Sequence, residues 1–118
     1  MSRILFVDDM RECYQLFMAG LPKEHYVYWA QSREEAEKQL EDQVYDLVIS
    51  DYHLTDADPE GGLEVISKAS SSGLPVLSIS KENHREEALS HGAKKFNFKR
   101  DFFSNVEARI AEVLENER

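Results

Sequence analysis

Asp46-Leu47-Val48-Ile49-Ser50-Asp51 decides how this chain is read. Three large aliphatic residues stand in a row between two aspartates. A run this short is no helix, and aliphatics on both parities leave no polar face. The expectation is a strand over Asp46–Ser50, buried on both sides, with Asp51 where the chain leaves the sheet. Ile4-Leu5-Phe6-Val7 has the same character and is also followed by acids, Asp8 and Asp9. Pro75–Ser80 is a further apolar strand that ends on a hydroxyl. Tyr26–Ala30 is β-branched and aromatic, and Lys94–Phe98 alternates polar with aromatic residues, so both are expected strands as well.

Between these runs the spacing becomes helical. Tyr14, Phe17, Met18 and Leu21 stripe a helix over residues 10–20. Ser32-Arg33-Glu34-Glu35 is a capping box that opens a helix reaching about Asp42, with Ala36 and Leu40 inward. Leu63, Ile66 and Ala69 mark a third helix that ends near Gly73. Asn83 with Glu86 is a second capping signal, for a short polar helix stopping at Gly92. Phe102, Phe103, Val106, Ile110, Val113 and Leu114 stripe one closing helix.

Strand–helix thus repeats five times. Near-continuous apolar strands with helical crossovers imply an α/β architecture, a parallel sheet covered on both faces. Right-handed crossovers make it an open doubly wound sheet. The chain has 118 residues, which fits one domain over 1–118 with no second folded unit and no output domain. A formal charge of −9 argues against nucleic acid and anionic membrane as partners. The longest apolar run is Tyr26–Ala30, so no membrane span and no signal peptide are read. The lone Cys13 can form neither an internal disulfide nor a metal cluster, which suits a reducing, cytoplasmic setting; it sits in the stripe of the first helix as a small buried or half-buried residue.

Ligands of doubly wound sheets lie beyond the carboxyl ends of the strands. There the sequence places Asp8 and Asp9, Asp51, Ser80 with Lys81, and Lys99. Three carboxylates on one rim repel each other, and a hard divalent cation such as magnesium relieves that. With a hydroxyl and an ammonium beside it, such a rim suits phosphoryl chemistry. Trp29, on the second strand, is expected to lie away from this rim.

Taken together, Phe6-Val7-Asp8-Asp9, Asp46–Asp51, Leu74–Ser80, Gly92-Ala93 and Phe98-Lys99 resemble the response-regulator receiver domain, the CheY-like family of two-component signalling. The resemblance covers essentially the whole chain. It implies a (βα)5 flavodoxin-like fold with strand order 2-1-3-4-5. It implies that Asp51 accepts a phosphoryl group from a histidine kinase or a histidine phosphotransfer protein. By the same resemblance Asp8, Asp9, Asp51 and the backbone carbonyl of His53 hold Mg2+. Ser80 turns its hydroxyl to the phosphoryl group, Lys99 contacts it, and Phe96 moves with that hydroxyl as the switch aromatic. Lys81, His53 and Glu82 are then candidates for tuning the lifetime of the phosphorylated state.

The expected function is a stand-alone receiver, a monomeric phosphorelay switch rather than an enzyme, acting through a downstream protein target. A pseudo-receiver that only binds partners is the alternative, supported by two departures from the family. Arg100 follows Lys99 where proline, with its cis bond, is usual, and Lys81 follows Ser80 where a small residue is usual. Two smaller departures are Thr55 in place of a usual proline and Gly61-Gly62 in place of Asp-Gly. A haloacid-dehalogenase phosphatase needs an aspartate where His53 stands, and a flavodoxin needs a Ser/Thr-Gly phosphate loop where Asp8-Asp9-Met10 stands.

Two further patterns carry less. Asp56, Asp58, Glu60 and Gly61 resemble the start of a calcium loop, but Ser67 stands where a bidentate glutamate is needed and Pro59 intrudes. Lys94, Lys95, Lys99 and Arg100 form a basic cluster that reads equally as ordinary strand-end charge or as a docking edge.

Overall fold

The computed structural model describes residues 2–54 and 59–115. Thr55, Asp56 and Asp58, and with the two aspartates half of the calcium-loop pattern, lie outside the described residues. Elements alternate as β1 (Arg3–Val7), α1 (Arg11–Gly20), β2 (Tyr26–Ala30), α2 (Arg33–Asp42), β3 (Leu47–Asp51), α3 (Gly61–Ser71), β4 (Val76–Ser80), α4 (Arg85–Ser90), β5 (Lys95–Phe98), α5 (Lys99–Ser104) and α6 (Val106–Glu115). All pairings are parallel, and the strand order is β2-β1-β3-β4-β5, as the resemblance implied. β3 begins and ends one residue later than its apolar run predicts, so Asp51 is its last strand residue.

Alternation along the strands sorts the core into two layers. Ile4, Phe6, Leu47, Ile49, Leu77 and Ile79 pack on α1, α5 and α6 through Phe17, Phe102, Val106, Ile110 and Val113. Leu5, Val7, Val48, Val76 and Phe96 pack on α2, α3 and α4 through Ala36, Val65, Ile66, Ala69 and Ala88. The central strands are fully buried, which is why aliphatic residues fall on both of their faces.

Two of the expected helix signals form as read. Ser32 Oγ accepts from the N–H of Glu35 at 3.1 Å, and Glu35 reaches back to the N–H of Gln31 at 2.9 Å. Gly73 and Gly92 both adopt positive φ, at 83° and 111°, and close α3 and α4. Other expectations need correction. Met18 is 40 % exposed: α1 buries Cys13 and Phe17 one turn apart, and Met18 lies to the side of that line. Asn83 does not cap α4. The N-cap is His84, and Asn83 Oδ1 accepts from the N–H of Arg85 instead. The closing helix is two helices. Asn105 leaves the helical region at φ −158°, ψ 72°, and its Oδ1 accepts from the N–H of Ala108, starting α6 anew. The apolar stripe spans the break because Phe102 and Val106 both face the same layer. The Lys99–Arg100 peptide is trans.

Gly62 is required by close approach rather than by its φ. A Cβ there would stand 1.8 Å from the carbonyl oxygen of Asp51. Helix α3 therefore lies directly on the end of β3, and holds the backbone around Asp51 in place.

Candidate functional site

Asp8 follows β1, Asp51 ends β3 and Lys99 follows β5. By alternation all three side chains fall on the α1/α5/α6 layer, at its carboxyl edge. Asp8, Asp51 and Lys99 are 0 %, 4 % and 6 % exposed, an unusual depth for charged groups. Lys99 Nζ stands 2.9 Å from Asp8 Oδ2 and 3.0 Å from Asp51 Oδ2. One ammonium thus bridges two carboxylates. The second oxygens are held by backbone: Asp8 Oδ1 accepts from the N–H of Met10 at 2.9 Å, and Asp51 Oδ1 from the N–H of His53 at 3.3 Å.

Asp9, by contrast, is exposed, but one oxygen from each of Asp8, Asp9 and Asp51 lies within 4.8 Å of the others. Three carboxylates against one ammonium leave an excess of negative charge. Burial, and then Asp8, push the Asp51 carboxyl up to about 6, although Lys99 opposes them. Asp9 is raised for the same two reasons. Burial works against the charged Lys99, yet Asp51 and Asp8 outweigh it and hold that lysine above its usual range. The three groups that could hold an ion here are all carboxylates, a set that fits a hard divalent cation such as Mg2+.

A cavity of about 340 Å³ opens over Asp51, lined by Asp9, Met10, His53, Leu54, Ser80, Lys81, Glu82, His84 and Lys99. Ser80 reaches it from the opposite layer, and its Oγ accepts from the N–H of Glu82 at 3.2 Å. Phe96, two residues along β5 from Phe98, is buried, and the two rings meet edge-on at 5.5 Å. Arg85 lies over the Phe96 ring, 5.2 Å from its centroid, and donates to the Phe96 carbonyl at 3.4 Å. The side chains of His53, Lys81 and Glu82 are exposed at the cavity mouth. His53 contacts Asp51 through its N–H.

Three neighbours of the site were not anticipated. Trp29, expected away from the rim, donates its indole N–H to the carbonyl of Asp8 at 2.7 Å, while its ring stacks on Tyr14 at 4.5 Å. β2 pairs with β1 in register, Phe6 with Trp29, and the long indole bridges the remaining rise. Cys13 is buried as expected, but its Sγ also stands 3.5 Å from Lys99 Nζ. Burial and then Asp8 push that thiol up to about 11, so it stays protonated and unreactive. His84 lines the cavity with its ring stacked on Tyr52 at 3.8 Å, near Glu82 and Glu87. Only Cys13 carried a readable signal, its place one turn before Phe17 on the inner line of α1.

The comparisons agree with this fold. The family model for the response regulator receiver domain matches residues 4–111, so the chain belongs to the response regulator receiver domain family. The receiver domain of Francisella response regulator 1452 matches with a TM-score of 0.81 at 15 % identity, over the whole of both chains. A response regulator from Thermotoga maritima matches at 0.80 and 20 % identity, covering 96 % of this chain and 97 % of that one. A response regulator from Burkholderia pseudomallei, solved with a phosphorylated aspartic acid, calcium ion and citrate, matches at 0.81 and 22 % identity, covering 96 % and 66 %. No curated protein sequence matches. Among the described residues no helix is long and apolar enough to cross a membrane.

Proposed function

We propose that residues 1–118 work as one receiver unit that takes a phosphoryl group onto Asp51 from a phosphohistidine of a kinase or a phosphotransfer protein. A single observation carries the reading: the ammonium of Lys99 sits between Asp8 and Asp51, at the ends of non-adjacent stretches of chain, with Asp9 completing the acidic cluster. In the step, an Asp51 oxygen attacks phosphorus as the P–N bond to imidazole breaks, and the departing imidazole keeps the electron pair and takes a proton from solvent. Lys99 leaves Asp51 Oδ2 to hold a phosphoryl oxygen, and its second contact, to Asp8, keeps it beside the site. Asp8, Asp9, Asp51 and the His53 carbonyl would hold Mg2+, which supplies neutralisation of the charge spreading over the phosphoryl oxygens.

Ser80 lines the same cavity and is the group to close on the bound phosphoryl. Its movement vacates space on the α2/α3/α4 layer, where Phe96 follows and alters the surface around β5 for a downstream protein. Lys81, Glu82 and His53 stand where they can screen the acyl phosphate from water. The chain promotes only its own phosphorylation and dephosphorylation, as a switch. The phosphorylated aspartic acid of the Burkholderia pseudomallei relative supports the choice of an aspartate as acceptor.

Beryllofluoride with Mg2+ tests the proposal, read by amide shifts and by Trp29 emission, since the indole is bonded to Asp8. Wild type is expected to shift at Asp51, Ser80 and Phe96. Asp51→Ala and Asp9→Ala are expected to abolish the metal response. Unchanged binding in both variants would overturn the site. A phosphorylated peptide mapping to Asp8 or Ser80 would overturn the choice of Asp51.

A further inference from the structure

The two departures from the family pattern, Lys81 and Arg100, lie 19 positions apart in sequence but line one cavity. It holds about 240 Å³, sits beside the site over Asp51, and is completed by Phe98 and Lys99. Lys81 borders both cavities. Lys99 is already bound to Asp8 and Asp51, but neither Lys81 nor Arg100 has an acidic partner among the described residues. Both are exposed, whereas Phe98 is half-buried and forms an apolar wall. A chain of charge −9 has thus gathered cationic groups around one small aromatic-sided hollow.

We infer that this hollow binds an acidic side chain, aspartate or glutamate, presented by a protein partner. A fork of guanidinium donors and a flexible ammonium suit a carboxylate, and the Phe98 ring suits the methylenes that carry it. The volume lies below the roughly 300–1,000 Å³ of typical small-molecule sites, so it admits a side chain rather than a cofactor. The choice of a protein partner rests on the receiver reading above. The hollow itself is tested without phosphorylation, so the two can fail separately.

The test is an amide-shift titration of the unphosphorylated protein with acetyl-glutamyl amide, against chloride at matched ionic strength. Inorganic phosphate forms a second arm. Saturable shifts at Phe98 and Arg100 are expected with the glutamyl probe. Lys81→Ala and Arg100→Ala should each weaken it about fivefold, as exposed charge contacts do. The double variant should give no saturation. Both side chains are exposed, so the variants keep the wild-type spectrum elsewhere. Shifts no larger than with chloride, or equally large in the double variant, would overturn the proposal. Tighter binding of phosphate at the same amides would overturn the assignment to an acidic side chain.

Discussion

The two layers of the core are built differently, and side-chain alternation sends the residues of the rim to one or the other. The α1/α5/α6 layer is aromatic: Phe6 stacks on Phe17 at 4.4 Å, and Phe17 on Phe102 at 6.0 Å. Large rings locked face to face leave little room to move, and the ionic group of Asp8, Asp51 and Lys99 sits at the edge of that layer. The α2/α3/α4 layer is mostly aliphatic, with Ala36, Ala69 and Ala88 under its helices and Tyr45 and Phe96 as its buried rings. It also carries Ser50, Ser78 and Ser80, all buried. Side-chain alternation lets one strand serve both layers, so Asp51 stands on the aromatic face while Ser80 and Phe96 stand on the other.

The sharpest break of this contrast is Phe17→Ala, which empties the middle of the aromatic stack. It should cost about 3–5 kcal/mol, read by urea unfolding. A loss below about 1 kcal/mol would mean the aromatic face is no more rigid than its counterpart. Next comes Lys99→Met. It leaves Asp8 and Asp51 buried without their cation and should cost about 3 kcal/mol in divalent-free buffer. Added Mg2+ should restore part of that loss if the carboxylates are what holds the ion.

Asp51→Asn should do the reverse and stabilise. The folded Asp51 carboxyl keeps its proton up to about pH 6, whereas its ordinary value is 3.8. Wild-type stability from this group is therefore present below about pH 4 and lost as pH rises through 6. The variant should match wild type at low pH, gain over the window from about 4 to 6, and stay roughly 3 kcal/mol ahead above it. A flat difference across that window would show that Asp51 is not held up by burial. For the same reason phosphorylation of wild type by a small donor should slow below about pH 6, as the nucleophile protonates. The smallest effect is expected at Ser78, whose buried Oγ finds no partner among the described residues. Ser78→Ala should raise stability by about 0.5–1 kcal/mol and test whether the mostly aliphatic layer tolerates unpaired polar groups.

The places where sequence reading and structure part are instructive. Asp8, Asp9, Asp51, Ser80 and Lys99 were legible because each stands at or just after the carboxyl end of an expected strand, and a parallel sheet sends all such positions to one edge. The break at Asn105 was hidden because the apolar stripe continues across it. Asparagine's preference for the N-cap was the available signal. Trp29 was misplaced because alternation assigns a residue to a face but says nothing of how far a long indole reaches along the neighbouring strand.

By itself the sequence determined the five strands, the first four helices, most of their inward faces and the residues at the rim. Those follow from local periodicity, and periodicity needs no knowledge of neighbours. The tertiary structure alone decided that Lys99 bridges Asp8 and Asp51, that Cys13 touches that lysine, and that Lys81 and Arg100 share a hollow. These contacts join residues far apart in the chain. They depend on strand register and on how closely α3 settles at Gly62, and no local pattern encodes such distances.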